Sequence, residues 1–309
     1  MPELPEVEVV REGLNKWVRG RRIESVEVLD PRSVRRHIDG PTDFEQSLSN
    51  CTVSTVVRRG KFLWLELAGL PVATSLMAHL GMSGQLLVEE PSARDEKHLK
   101  VRLSLSEQPG APAELRFIDQ RIFGGMFLSP LVPTSDGGAG GLGSQSQLIP
   151  QAAAHIARDV LDPARNAETL YVSLRKKTTQ LKRAILDQEI ISGVGNIYAD
   201  EALWDAGLSG LRNTATIRRF EVTRLNEALI DVMTRALEAG GTSFDSLYVN
   251  VNGASGYFSR SLNAYGREGK ACLRCADNGV DSVIRRDPFM GRSSYTCPVC
   301  QPRPRRALR

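Results

Sequence analysis

Asp136-Gly137-Gly138-Ala139-Gly140-Gly141, at the centre of residues 129–150, marks the place where the chain changes character. Ser129-Pro130 and Pro133 precede it, and the whole stretch is too flexible and too poor in apolar groups to build a packed layer, which predicts a linker or disordered insertion. Before it, from about Glu24 to Leu128, short alternating segments such as Thr52 to Val57, Lys61 to Leu67 and Val101 to Leu105 are separated by Gly, Pro and Ser clusters. That is the period of strands, and it predicts a β-sandwich or barrel. After it the period becomes helical, with Leu181, Ile185 and Gln188 in one segment and Leu225, Leu229, Val232 and Ala236 in another. The reading is an α+β chain whose two halves differ in class. Its 309 residues, 41% hydrophobic and 25% charged, suffice for two modest domains and a small appendage.

The formal net charge is only +4, so an anionic partner is indicated only if the basic residues are concentrated. They are: residues 260–309 hold eleven Lys or Arg against four Asp or Glu. A solvated tail would account for Arg303, Arg305, Arg306 and Arg309, but not for the arginines that lie between cysteines, and nucleic acid is the better fit. Cys272 and Cys275 form one Cys-x-x-Cys knuckle and Cys297 and Cys300 another, with 21 residues between them, which is the spacing of a tetrahedral Zn²⁺ site. About thirty residues cannot bury enough apolar surface to fold alone, whereas a structural zinc supplies roughly 10–16 kcal/mol in comparable modules. With thiols at all four positions, no coordination site is left for a catalytic water. Asp277-Asn278-Gly279 and Met290-Gly291 read as hairpin turns presenting Arg285, Arg286 and Arg292, the pattern of a phosphate-reading module rather than a mere clip. Cys51, alone in an apolar stretch, reads as core. The acidic opening lacks a signal-peptide layout, and no apolar run approaches the ~18 residues of a membrane span, so a soluble cytoplasmic protein is expected.

At the amino terminus Val7, Val10, Leu14 and Trp17 recur at helical spacing after Pro5, with Glu6 and Glu8 in the first turn, and predict a helix starting near Pro5. Pro2 then lies one step before a helix N-terminus. With Met1 removed it is a secondary amine, and a reference pKa of roughly 7.7–8.0 leaves a neutral fraction at physiological pH. The helix dipole lowers that value further, while Glu3 and Glu6 oppose it. Such an amine can attack an electrophilic carbon and form an iminium, with Glu3 placed to move protons. From position alone, a proline that merely stiffens the start of a core helix fits equally well.

Taken together, Met1-Pro2-Glu3-Leu4-Pro5-Glu6-Val7-Glu8, Arg59-Gly60-Lys61, His79-Leu80-Gly81-Met82-Ser83-Gly84, Gly193-Val194-Gly195-Asn196-Ile197-Tyr198-Ala199-Asp200-Glu201 and the four-cysteine segment resemble, in order and over nearly the whole chain, the formamidopyrimidine-DNA glycosylases. The resemblance implies an N-terminal catalytic β-sandwich domain over 1–128, the linker or insertion over 129–150, a helical domain with a helix–two-turn–helix motif over 151–262, a zinc finger over 263–301 and a basic tail over 302–309. It implies a monomer that binds damaged double-stranded DNA in a cleft between its domains and carries one structural Zn²⁺. The implied activity is that of a bifunctional DNA glycosylase and abasic-site lyase excising oxidised purines.

By carry-over Pro2 attacks C1′ of the damaged nucleotide, and Glu3 handles the sugar ring oxygen or the lesion proton. Lys61 belongs to the loop credited with phosphate contact and β-elimination. Arg292, five residues before Cys297, grips phosphate and serves δ-elimination. An everted base leaves a void, which the family fills with Met, Arg and Phe, here Met82, Arg121 and Phe123. An arginine that hydrogen-bonds the orphaned partner makes cytosine the natural opposite base. Lone apolar side chains are more often core, but the glycines flanking Met82 and Phe123 suggest exposed turns. The Gly193-Val194-Gly195-Asn196 turn aims backbone N–H groups at a phosphate or simply joins two helices, with Asn196 expected as N-cap in either case. His79, His98, Lys177 and Tyr265 match DNA-contact positions, and Ser246 to Phe258 the mobile lesion loop.

Gln120 stands where the family often has proline, and Ile122 replaces a commoner basic residue, which bears on opposite-base preference. An endonuclease VIII-like enzyme for oxidised pyrimidines is the nearest alternative, disfavoured by Leu4-Pro5 in place of Gly-Pro and by Arg121 and Phe123. A catalytically silent DNA-binding paralogue is disfavoured by intact Pro2, Glu3 and Lys61.

Overall fold

The computed structural model describes residues 2–241 and 261–305. The chain divides into two compact units: residues up to His155 with the stretch from Ala239, and Ile156–Glu238 with the remainder of the C-terminal part.

In the first unit, helix α1 (Leu4–Trp17) begins where the proline and capping signals place it. Glu3 and Glu6 form a reciprocal capping box in which Glu6 Oε2 accepts the Glu3 backbone N–H at 2.8 Å. Strands β1 (Ile23–Val28), β5 (Gly84–Glu89), β6 (Leu99–Leu105) and β7 (Glu114–Asp119) form an antiparallel sheet in the order β1-β6-β7-β5. Strands β2 (Thr52–Arg59), β3 (Phe62–Ala68), β4 (Thr74–His79), β8 (Gly125–Pro133) and β9 (Leu148–Pro150) form a second in that order. Along β6 burial alternates residue by residue, as its apolar-polar pattern requires, and Val101, Leu103 and Leu105 enter the core. That core is shared by Val7 and Leu14 of α1, Leu63 and Leu65 of β3, and Phe117 of β7. A short helix α2 (Gly40–Leu48) adds Phe44 and Leu48, and Cys51 joins the same cluster.

Residues 129–150 are not a linker. They continue β8, form β9 and, between them, lay a loop along the outer side of β2: Arg58 and Leu142 exchange backbone hydrogen bonds at 3.0 and 2.8 Å, and the Thr55 hydroxyl donates to the Gly143 carbonyl at 2.8 Å. The glycines serve close approach rather than freedom. A Cβ on Gly141 would stand 2.4 Å from the Arg58 carbonyl oxygen, and one on Gly143, whose φ is +105°, 2.3 Å from that of Val56. The expected sheet domain therefore extends past residue 128, to His155.

The second unit carries α3 (Ala167–Arg175), α4 (Leu181–Ile185), α5 (Asn196–Asp205) and the long α6 (Arg219–Glu238), then α7 (Leu273–Asp277) and the hairpin β10 (Arg285–Phe289) and β11 (Arg292–Thr296). Leu225, Leu229, Val232 and Ala236 are all buried on α6, as their spacing predicts. Helix α4 is shorter than its pattern: Gln188 lies beyond it, and its carboxamide braces the following turn, donating to the carbonyls of Leu186 and Val194 and accepting from Gly193 N–H. Met290-Gly291 is a hairpin turn as expected, but Asp277-Asn278-Gly279 instead closes α7, with Gly279 at φ +67°. None of the described helices is long and apolar enough to cross a membrane.

Candidate functional site

Pro2 is buried immediately ahead of α1, next to Glu3, whose carboxylate turns back on the helix N-terminus. Met1 lies outside the described residues, as does the expected lesion loop Ser246 to Phe258. Glu8, on the second turn of α1, meets Arg58 of β2 with Oε2 2.7 Å from Nε; both side chains are almost wholly buried. Arg58 Nη1 also donates to the carbonyl of Gly60 at 3.1 Å. Gly60, at φ +59°, and Lys61 form the turn into β3. The helix that follows Pro2 and the turn that bears Lys61 are thus joined through the buried Glu8–Arg58 ion pair.

Next to Lys61, the Phe62 ring packs edge-on against His79 at 6.2 Å and against His155 at 6.2 Å. His79 closes β4, and its Nδ1 is buried with no hydrogen-bond partner among the described residues. Burial, aided by the charges of Arg36 and Arg35 and opposed by Asp119, depresses its imidazole to about 4. This ring is neutral at physiological pH.

The turn after His79 exposes Met82 (38%), and the turn after β7 exposes Arg121 and Phe123 (54%). The three expected void-filling residues are surface residues carried on adjacent turns, with Arg121 Nη1 4.0 Å from Met82 Sδ. Ile122 has φ +57°, a left-handed conformation that a β-branched side chain rarely adopts. His98 is half-buried, and its carbonyl accepts the Asp119 N–H at 3.0 Å, which places it beside this group.

In the second unit, Asn196 is the first residue of α5 rather than its cap; Gly195 occupies the cap position, and the Asn196 amide instead donates to the Ser293 carbonyl at 2.8 Å. Standing one residue inside the helix, the side chain turns its amide to β11 instead of capping the helix start. Lys182 and Asp200 form a buried pair at 2.6 Å. Asp200 also accepts from the Ser294 hydroxyl and the Tyr295 N–H, so α5 grips the strand that Arg292 begins. Burial pushes Asp200 up to about 6 against the pull of Lys182. Arg285, Arg286 and Arg292 are all exposed on the hairpin. Lys177 pairs with Asp187 at 2.6 Å in an exposed contact. Tyr265 stacks edge-on with Tyr295 at 4.9 Å, and its backbone N–H, with those of Asn263 and Ala264, is held by Glu201 at 2.8 Å.

Cys272, Cys275, Cys297 and Cys300 bring their sulfurs within 4.8 Å of one another. The Cys272–Cys300 and Cys275–Cys297 separations are 3.8 and 3.6 Å. A tetrahedron with metal–sulfur arms of about 2.3 Å has edges of about 3.8 Å, so the donor set fits such an ion. N–H and O–H groups turn toward the sulfurs, from Trp204 Nε1 to Cys272 at 3.3 Å and between Ser282 Oγ and Cys297 at 3.2 Å, as thiolates require. A second group, His37, Asp39 and Asp43, is drawn together mainly by the His37–Asp43 contact at 2.7 Å.

Sequence reasoning missed Asp119, Ser83, Arg58, Lys182 and Gln188. Asp119, Ser83, Arg58 and Lys182 each have a side-chain partner distant in sequence, whereas Gln188 bonds backbone close by, and its amide beside a glycine turn was the available signal.

Comparison with known proteins agrees with this geometry. Residues 1–126 match the formamidopyrimidine-DNA glycosylase N-terminal domain family, and residues 156–247 the formamidopyrimidine-DNA glycosylase H2TH domain family. Proteins named formamidopyrimidine-DNA glycosylase from Kineococcus radiotolerans and Thermobifida fusca are each 54% identical over 99% of both chains. Among solved structures, the complex of Lactococcus lactis Fpg with DNA containing an abasic site aligns with TM-score 0.78 at 28% identity, over 97% of this chain and 100% of that one. A complex of a mutant of the same Lactococcus lactis protein with DNA containing Fapy-dG aligns with TM-score 0.79 at 28% identity, over 98% and 100%. Sheet unit, helical unit, cysteine cluster and full-length identity converge, and the chain belongs to the formamidopyrimidine-DNA glycosylase family.

Proposed function

We propose that this chain, a DNA glycosylase of base excision repair, removes oxidised purines such as 8-oxoguanine and formamidopyrimidines from duplex DNA and then cuts the strand at the abasic site. The observation that carries the chemistry is the position of Pro2 ahead of α1, tied through Glu8 and Arg58 to the Lys61 turn. The neutral Pro2 nitrogen forms a bond to C1′ as the bond from C1′ to the damaged base breaks, the base leaving with the proton that the nitrogen gives up, and Glu3 then passes its own proton to the sugar ring oxygen as the ring opens to an iminium. Loss of a proton from C2′ then expels the 3′ phosphate, and a second elimination, served by Arg292, expels the 5′ phosphate. Lys61 orients and neutralises phosphate beside these steps. His79, neutral at working pH, donates a hydrogen bond rather than a charge, while His98, Lys177, Asn196 and Tyr265 contact the backbone.

Zn²⁺ is the ion that suits four thiolates; held by Cys272, Cys275, Cys297 and Cys300, it supplies folding energy to the finger at 263–301 and takes no part in the reaction. The enzyme acts in the cytoplasm on the chromosome, as a monomer. Borohydride reduction of a mixture with duplex DNA carrying 8-oxoguanine opposite cytosine should trap a covalent complex, and Pro2→Gly should remove most of it. Zinc-loaded, N-terminally processed protein that traps nothing would refute the assignment. Faster trapping on thymine glycol would move the substrate to oxidised pyrimidines.

A further inference from the structure

Asp119 is the last residue of β7 and is fully buried, yet it makes no ion pair among the described contacts. Its carboxylate lies between the two turns that carry Met82, Arg121 and Phe123. Oδ1 accepts the Ser83 hydroxyl at 2.5 Å and the Arg121 N–H at 3.2 Å, and Oδ2 accepts the Gly124 N–H at 2.8 Å. The same Ser83 oxygen accepts the Arg121 N–H at 3.0 Å, so serine and aspartate share that donor. A buried carboxylate is tolerated only when such donors replace water.

The two turns also touch through backbone: a Cβ on Gly81 would stand 2.5 Å from Gly124 N, and one on Gly124 2.5 Å from the His79 carbonyl oxygen. From outside, Arg35 donates to the carbonyls of Gly124 and Phe123 at 3.1 and 3.3 Å. Asp119 grips N–H groups on both sides of Ile122, whose backbone is left-handed.

We propose that Asp119 is the positioning residue that sets opposite-base discrimination, by locking the Met82 turn and the Arg121–Phe123 turn into one block so that Arg121 meets the orphaned base in a fixed orientation. The proposal rests on the reading of Met82, Arg121 and Phe123 as void fillers. Asn at this position has the same shape, but in either flip its NH₂ meets a backbone N–H, that of Gly124 or that of Arg121, so it can no longer accept from both sides of the turn as the carboxylate does. A loose arginine still finds a base edge, but no longer a particular one, because hydrogen-bond discrimination depends on placement to a fraction of an ångström.

The test measures single-turnover excision of 8-oxoguanine opposite cytosine and opposite adenine, for the wild type, Asp119→Asn, Ser83→Ala, Arg121→Ala and the Asp119→Asn/Arg121→Ala double variant. Asp119→Asn should cut the cytosine-to-adenine rate ratio about tenfold, with zinc content near wild type and a modestly lower melting temperature, and Ser83→Ala should lower the ratio less. The double variant should show the ratio of Arg121→Ala alone, since Asp119 acts through that arginine. If Arg121→Ala leaves the ratio unchanged, the void-filling reading fails. If Arg121→Ala collapses it while Asp119→Asn and Ser83→Ala do not, or if the double variant is worse by the product of the two effects, the role given to Asp119 is wrong. Should Asp119→Asn not fold, Ser83→Ala, which deletes a single hydroxyl, decides alone: an unchanged ratio overturns the proposal.

Discussion

Replacing Arg58 by methionine would leave the Glu8 carboxylate buried with Arg11 as its remaining basic partner, at 2.7 Å. Removing one member of a buried pair costs about 3–5 kcal/mol, because the other charge stays out of water. Arg11, itself mostly buried, keeps Glu8 partly compensated and puts Arg58→Met near the lower end, about 3 kcal/mol. Losing the bond to the Gly60 carbonyl adds about 1 kcal/mol. For a unit of this size that lowers the melting temperature by roughly 8–16 °C. Glu8→Gln strands the guanidinium and should cost a similar amount. The double variant strands neither charge, so it should be no less stable than the weaker single variant, giving a coupling of at least about 4 kcal/mol. Calorimetry of the full chain, following the transition of the sheet unit, measures all four. Single-variant costs that simply add in the double, or an Arg58→Met loss under about 1 kcal/mol, would refute the pair as the joint between nucleophile helix and lysine turn.

His79 gives a pH prediction. Its folded value of about 4 lies below the ordinary 6.5, so between those values the unfolded chain binds a proton that the folded chain refuses. Stability is therefore complete above about pH 7 and falls as pH drops toward 4, by at most about 3 kcal/mol; His79→Gln should flatten the difference between urea midpoints at pH 7 and pH 5, and an unchanged slope would sink the assignment. Ile122→Gly should relieve left-handed strain and raise stability by about 1 kcal/mol in urea melts while lowering opposite-base discrimination; a destabilised variant would mean that the conformation carries no strain. Stripping the four-cysteine cluster with a strong chelator should abolish DNA retention and lower the melting of the helical unit, and restored zinc should reverse both; retention without metal would contradict a structural ion.

What was legible in the sequence was whatever local spacing encodes. The helix after Pro5, the buried face of α6, the alternation in β6 and the two cysteine knuckles all follow from short-range periodicity, and each is found where expected. The exposure of Met82 and Phe123 followed from their glycines. What was not legible was pairing at a distance: Glu8 with Arg58 is 50 residues apart and Ser83 with Asp119 is 36, and nothing in either neighbourhood names the other. Asn196 has the chemistry of a cap, but α5 begins one residue earlier than that reading requires, with Gly195 at the cap, and the Asn196 amide bonds a carbonyl 97 residues away. The glycine-rich stretch misled for another reason. Glycine is selected both where the backbone must move and where another backbone must come close, and composition cannot tell these apart.

That stretch has a consequence for handling the protein. β2 has β3 on one side, and without Leu142 and Gly143 along the other, part of its length would be an open row of amide and carbonyl groups able to recruit a strand from a neighbouring molecule. Residues 134–147 look like a harmless place to insert a tag or trim a few glycines. Doing so would peel a seal from the sheet, and the first symptom would be aggregation during expression rather than any loss of catalytic power.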